Sequence, residues 1–348
     1  MLLLALMAIL LAAATATSAQ ASQPNPLAGV KLFVDRDSPS WGQWHAYVRS
    51  GQTNRANLIW KIAREPRALW IGGFTRPNLH TKVRRRIDAA AAEGAVPVFT
   101  VLRAQSTGCG PHYDGGGPGE DARTRVWYRA LARTIADDRV VIAFEPDSLG
   151  TIDCHARGRR DDRIRLLRYG VDALADLPNA TIYIDAGASD WEPAERTAKQ
   201  LRGVGIAKVR GFMLNATHYD WTRENIAHGL EISRLTGGKH FVINTAENGR
   251  GPIHYRLPNG RRGNVWCDPP LRGLGPPPTT NTGNRMVDAY LWINRPGYAQ
   301  SCQHRRIAWY LPRALEYARY ATDWESRPKG TRFGYCKNYS LRSLGVRR

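Results

Sequence analysis

The feature that most constrains this chain is a recurrence of short, almost wholly apolar runs. They lie at Lys31–Val34, Ala68–Ile71, Val96–Val101, Val140–Phe144, Thr181–Ile184, Val209–Leu214, His240–Ile243 and Ala289–Ile293. A run that is apolar at successive positions, without alternation, suits a strand covered on both faces. Between several runs lie stretches with apolar residues three and four apart, such as Val83-Ile87-Ala90-Ala91 and Ile164-Leu167-Val171-Leu174, stopped by Gly94 and Pro178. Alternating strands and helices require parallel strands joined by crossovers. Seven or eight such units in 348 residues predict one α/β protein, a single parallel (β/α) barrel of seven to eight strands. The Pro/Gly-rich stretch from Trp266 to Gly283 reads as a long fixed loop.

The two ends of the chain read differently from its middle. Residues 1–21 are Leu/Ala-rich and uncharged, and Ala19-Gln20-Ala21 offers a small-x-small cleavage site, so the segment reads as a signal peptide although a basic n-region is missing. Residues 22–325 form the predicted domain, and residues 326–348 a basic tail with seven Lys/Arg and no Asp/Glu. The expected location is secreted or cell-wall associated. Cys109, Cys154, Cys267, Cys302 and Cys336 lack CxxC spacing, which fits two disulfides and one leftover thiol in an oxidising compartment. Spacing alone leaves their pairing open. The net charge of +20 comes without a helix-turn-helix, zinc-finger or RNP signature, so no nucleic-acid partner is expected. The tail is read as solvated and able to touch anionic cell-wall polymer, and the protein as a monomer.

Polar residues follow the apolar runs directly: Asp35, Glu145 and Asp147, Asp185, Asn215, Asn244 and Asn294. In a barrel the C-terminal strand ends form the active-site face, so these groups are expected to converge, although any one of them could be only a cap or turn former. Asp147 and Asp185 stand out for their tight settings in Glu145-Pro146-Asp147-Ser148-Leu149-Gly150 and Asp185-Ala186-Gly187. No GxSxG, HExxH, P-loop or Rossmann fingerprint occurs, and the Gly115–Gly119 run lacks a following Lys. His112 and His155 read as loop residues, so no metal and no cofactor are expected. Eleven tryptophans beside a carboxylate cleft point to sugar, because carboxylates serve as acid and base in glycoside hydrolysis and indole faces stack on sugar rings.

At Glu145-Pro146-Asp147-Ser148-Leu149 the chain resembles glycoside hydrolase family 6, which cleaves β-1,4-glucan with inversion. The resemblance continues in order through Tyr183-Ile184-Asp185-Ala186-Gly187 with Trp191, then Gly211-Phe212-Met213-Leu214-Asn215. It goes on through Asn248-Gly249-Arg250-Gly251-Pro252, Trp266-Cys267-Asp268-Pro269-Pro270 with Arg272-Gly273-Leu274-Gly275, and Asp288-Ala289-Tyr290-Leu291-Trp292-Ile293. With Asn25-Pro26-Leu27-Ala28-Gly29 it spans about residues 25–320. The resemblance implies the family's distorted barrel and a cellulose-type β-glucan polysaccharide or oligosaccharide as substrate. It implies Asp147 as general acid, Asp185 as a subsite carboxylate, and Trp70, Trp191 and Trp266 as stacking platforms. Asn215 and Asn294 fall at substrate-binding positions. The implied disulfides are Cys109–Cys154 and Cys267–Cys302.

The departures from the pattern are as informative. Gly108 stands where the family has the Asp of Arg-Asp-Cys, and in the last strand's extension Asn294, Tyr298 and Gln300 replace Lys, Glu and Asp. A subsite His is Ala188. An inverting enzyme needs a second carboxylate, and Asp114, Asp190 and Glu247 are the candidate replacements. The alternative is a catalytically impaired protein that still binds β-glucan.

Overall fold

The computed structural model describes residues 24–72, 78–104, 118–256, 262–265, 267–300 and 307–321. In chain order the elements are α1 (Pro39–Arg49), α2 (Thr53–Ala63), β1 (Leu69–Gly72), α3 (Leu79–Ala92), β2 (Val98–Leu102), α4 (Pro118–Ile135), β3 (Val140–Phe144), α5 (Arg157–Ala175), β4 (Ala180–Asp185) and α6 (Ala194–Val204). They continue as β5 (Gly211–Leu214), α7 (Thr222–Leu235), β6 (His240–Asn244), β7 (His254–Arg256), β8 (Arg262–Asn264), β9 (Val287–Leu291), β10 (Tyr298–Gln300), β11 (Ile307–Trp309) and α8 (Leu311–Arg319). Seven strands form one sheet in the order β1-β2-β3-β4-β5-β6-β9, and every pair in it is parallel. The antiparallel pairs β7–β8 and β10–β11 are hairpins outside it.

The sheet curls until its first and last strands approach each other. Ala68 N donates to Trp292 O at 2.9 Å. The Trp70 indole donates to Ile293 O at 2.8 Å, and the Thr100 hydroxyl to the same oxygen at 3.2 Å. The result is a partly closed (β/α) barrel. Alternate strand residues fill two cores, which explains why the strands are apolar throughout. Val98, Val141, Ala143, Tyr183, Met213, Val242, Ala289 and Leu291 pack inside the curl. Phe99, Val101, Ile142, Phe144, Ile184, Phe212, Leu214 and Ile243 face outward against the helices. Among the described residues no helix is long and apolar enough to cross a membrane.

One expected strand is absent as such. Lys31–Val34 makes only a single parallel bridge, Leu32 to Val96, with Phe33 N donating to Val96 O at 3.0 Å and Val96 N to Lys31 O at 2.8 Å. The other runs hold with ends moved by a residue or two, and the last begins earlier, at Val287. From 267 to 283 the chain has no helix or strand beyond the bridge of Thr279 to Tyr290, as the Pro/Gly content implied. At the N-terminal end of the barrel, fully buried Asp288 accepts from the Tyr183 hydroxyl at 2.7 Å, the Arg210 guanidinium at 2.8 and 2.9 Å, and His240 Nδ1 at 3.0 Å. Four hydrogen bonds thus converge on one buried carboxyl.

Gly211 opens β5 at the place where it runs against β6. A Cβ built there would lie 1.7 Å from the carbonyl oxygen of His240, which is backbone and cannot yield as a side chain could. Gly211→Ala is therefore expected to cost about 3 kcal/mol or more and to lower the melting temperature by roughly 5 °C or more. An unchanged melting temperature would show that β5 and β6 can separate without loss.

Candidate active site

The polar residues that end the strands are first of all stitches. Glu145, just past β3, is fully buried and accepts from Arg103 N at 2.9 Å, Ala104 N at 3.0 Å and the Tyr128 hydroxyl at 2.6 Å. It thereby ties the end of β2 and helix α4 to β3. Past β5, Asn215 N donates to Gly187 O at 2.7 Å, which joins the ends of β4 and β5. Its side chain donates to Asn244 O at 3.0 Å and Asp220 O at 3.2 Å and accepts from Asp220 N at 3.0 Å. Asn244 ends β6 and accepts from Ile293 N at 3.0 Å and Asn294 N at 3.1 Å, beyond β9. Asn215, with 0% exposure, has both amide hydrogens spent inside the protein, on Asn244 O and Asp220 O.

This stitching holds Asp147 in an unusual backbone state. Glu145, Asp147 and Asn215 have φ of 55°, 66° and 67°, a left-handed region that costs a non-glycine residue about 1–3 kcal/mol and persists only where the surroundings enforce it. The Asp147 carboxyl accepts from the Thr217 hydroxyl, from the loop after β5. Burial pushes its pKa up, while the Thr217 hydrogen bond and the charge of His218 pull it down. Asp185, the last residue of β4, is buried beside it and accepts from Gly187 N at 3.3 Å. Burial, then the charge of Asp147, raises the Asp185 pKa well above the ordinary range. Two desolvated carboxyls that interact this way hold a proton between them at a pH where a lone surface carboxyl has lost it.

Trp191 flanks this pair. Its ring stacks on the His218 imidazole at 4.8 Å and 23°. It also packs so tightly on the chain at Gly150 that a Cβ there would fall 2.5 Å from the indole. His218 Nδ1 lies 3.0 Å from Asp190, whose other oxygen accepts from Asn264 on β8. Asp190 is thus engaged on both oxygens. Although burial opposes it, the His218 hydrogen bond and charge hold its pKa below the usual carboxylate value. Trp70 is 9% exposed and carries the Arg295 guanidinium over its ring at 4.9 Å, so this platform is roofed by a cation in the free protein.

Across the mouth, past β6 and β9, lies the second carboxyl centre. Glu247 is 1% exposed and accepts from the Asn294 amide at 2.7 Å, while Asn294 Oδ1 accepts from Arg295 N at 2.9 Å. Arg313 pairs with buried Asp268 at 2.9 Å nearby. Burial pushes the Glu247 carboxyl up to about 8, against the charges of Arg313 and Arg295. Tyr298, in the family's Glu position, packs its ring on Arg295 at 4.9 Å, and buried Ala188 has no side chain to offer a subsite.

The expectations on Gly108, Cys109, Asp114, Trp266 and Cys302, and on the side chain of Gln300, lie outside the described residues. Cys154 and Cys267 are each disulfide-bonded. Thr217 and His218 were not singled out from the sequence, although they sit two and three residues past Asn215, where a strand-end loop should have drawn notice.

The Glu247 shift has a stability consequence. With a folded-state pKa near 8 against an ordinary 4.5, the folded protein holds a proton that the unfolded chain has released, so its contribution is intact below about pH 4.5 and is lost as pH rises through 8. Glu247→Gln keeps the acceptor for Asn294 and removes the titration. Urea unfolding at pH 5 and pH 8.5 should show a smaller loss of stability across that interval in the variant. Equal losses in both proteins would mean that Glu247 is already ionised when folded.

The comparisons with known proteins agree with this geometry. The family model for glycosyl hydrolases family 6 matches residues 27–309. Endoglucanase A of Cellulomonas fimi is 34% identical over 303 residues, covering 86% of this chain but only 62% of its own length. Endoglucanase 1 of Streptomyces halstedii is 31% identical, covering 85% of this chain and 89% of its own. The endoglucanase Cel6 from Mycobacterium tuberculosis, solved with methyl-cellobiosyl-4-deoxy-4-thio-β-D-cellobioside, superposes with a TM-score of 0.75 at 35% identity, over 85% of this chain and 99% of that one. Endoglucanase CEL6B from Humicola insolens shares the fold at a TM-score of 0.72 and 18% identity. A seven-stranded curled parallel sheet, with paired carboxyls at the ends of β3 and β4, is here carried by a chain that belongs to glycosyl hydrolase family 6.

Proposed function

We propose that this chain hydrolyses a β-1,4-glucan of the cellulose type with inversion at the anomeric carbon. The observation that carries the reading is the interacting pair of half-buried Asp147 and fully buried Asp185 at adjacent strand ends. Asp147 holds the proton and gives it to the glycosidic oxygen as the bond from the anomeric carbon to that oxygen breaks. Asp185 keeps that proton available at a pH where an isolated aspartate has released it. Water attacks from the opposite face and must lose its own proton to a base, roughly 6.5–9.5 Å from the acid in an inverting pair. Asp190 is a poor choice for that base, because it is tied to His218 and Asn264 on the Asp147 side. Glu247 lies on the far side of β5 and has one hydrogen-bonding neighbour of amide type, so we assign it as the acceptor. The endoglucanase relatives and the cellobioside complex support the choice of substrate.

Extracellular action fits a polymeric substrate, the leader-like residues 1–21 and the disulfide-bonded Cys154 and Cys267, for which the pairing Cys109–Cys154 and Cys267–Cys302 is part of the proposal. A second reading, a β-glucan-binding protein with little turnover, is favoured by one observation. The only base-side carboxyl among the described candidates stays protonated until about pH 8.

Asp147→Asn should reduce release of reducing ends from soluble β-glucan by about 10²–10⁴-fold while leaving cellotetraose affinity within about twofold, since the amide keeps the shape and loses the transferable proton. Near-normal turnover in this variant would remove Asp147 from the acid role. For the base, Glu247→Gln should lower turnover by about 10²-fold or more. A Glu247→Gln protein as active as wild type would place the acceptor elsewhere. Binding of β-glucan without release of reducing ends at any pH from 5 to 9 would establish the second reading.

A further inference from the structure

The loop after β5 brings a histidine in between two parts of the site, the stacking ring and the proton donor. Thr217 hydrogen-bonds to the Asp147 carboxyl, and the next residue, His218, lays its ring on Trp191 at 4.8 Å and 23°. Trp191 also meets the chain at Gly150, where no Cβ could be accommodated, and Gly187, where one would approach to 3.3 Å. His218 Nδ1 is 3.0 Å from Asp190, and both side chains are nearly buried. Asp190 in turn is held by Asn264.

We propose that His218 is a positioning residue for the reaction: paired with Asp190, it wedges Trp191 against the chain at Gly150 and Gly187 and keeps a positive charge beside Asp147. The proposal rests on the assignment of Asp147 as the acid. A neutral ring would stack equally well, so the charge is the distinctive part. The charged groups that face His218 are Asp190 after β4, Asp147 after β3 and Asp220 in its own loop. His254 of β7 acts on Asp190 from the other side. Burial disfavours the imidazolium, but the Asp190 hydrogen bond and the three carboxylates outweigh that and hold its proton above the ordinary histidine value. Its effect on Asp147 is opposite to that of Asp185. The imidazolium favours the carboxylate and so strengthens the acid, whereas the neighbouring carboxyl weakens it. Acid strength and the posture of the platform are therefore both set through one side chain.

The sign of the effect gives the test. In His218→Gln the positive charge is gone, so Asp147 should keep its proton to higher pH, and one limb of the kcat/KM profile should move up by about half a unit or more. A residue that merely packed would change the height of the profile and leave its limbs in place. NMR titration of the His218 ring in wild type should give a midpoint above 6.5, and Asp190→Asn should lower it by about one unit. Calorimetry with cellotetraose should show affinity weakened about fivefold or more in His218→Ala, where Trp191 loses its backing. A kcat/KM profile with both limbs unmoved in His218→Gln, or a His218 midpoint at or below 6.5 in wild type, would overturn the inference. Should wild type prove unable to hydrolyse any β-glucan, the acid assignment fails, while the His218 titration and the calorimetry still decide whether His218 is charged and braces Trp191.

Discussion

The site depends on a constraint at the C-terminal rim of the barrel: each strand end must be tied to the next, and buried polar side chains do the tying. Glu145 holds β2 and α4 to β3, Gly187 O holds Asn215 N, and Asn215 and Asn244 bond each other's carbonyls before Asn244 reaches the residues after β9. Backbone hydrogen bonds alone could not do this, because parallel strands that diverge at a rim leave their last N–H and C=O groups unmatched. The stitches also enforce left-handed backbone at Glu145, Asp147 and Asn215, which turns the Asp147 carboxyl toward Thr217 and Asp185. Geometry at the acid is thus a by-product of how the barrel mouth is sewn.

Burial then supplies the chemistry. Two carboxyl centres sit on opposite sides of β5, and both hold protons beyond the normal range. Burial leads at both Asp147 and Asp185, the charge of Asp147 adds to it at Asp185, and a threonine and a histidine pull Asp147 the other way. At Glu247 desolvation, with a smaller push from the charge of Asp268, outweighs the Asn294 amide and the charges of Arg313 and Arg295. That asymmetry separates a group suited to donate from one suited to accept only when the solution is alkaline enough to ionise it.

Much of this was legible in the sequence, and the misses have physical causes. The parallel strands could be read because a strand buried on both faces has no choice but to be apolar. Lys31–Val34 satisfied the same pattern, yet pattern says nothing about whether a neighbour is in register to pair with it, and only Leu32 found one. Asp147 and Asp185 were found through their motif and lie together as expected. A motif records that Asn215 is present and not which way its amide points, and here both amide hydrogens go to the stitches. Trp70 poses the same problem, since nothing in its strand indicates that Arg295 would lie on its ring. His218 escaped notice because its significance arises only once Asp190 and Trp191, almost thirty residues earlier, are folded against it.

The central claim is that Asp147 protonates a leaving group while water enters from the opposite face, and the stereochemistry of the first product tests it most directly. Proton NMR of a soluble β-1,4-glucan mixed with the protein should show the α-anomer of the new reducing end appearing first and mutarotating to the equilibrium mixture afterwards. Initial formation of the β-anomer would contradict the account, because it would require a carboxylate close enough to Asp147 to attack the sugar itself.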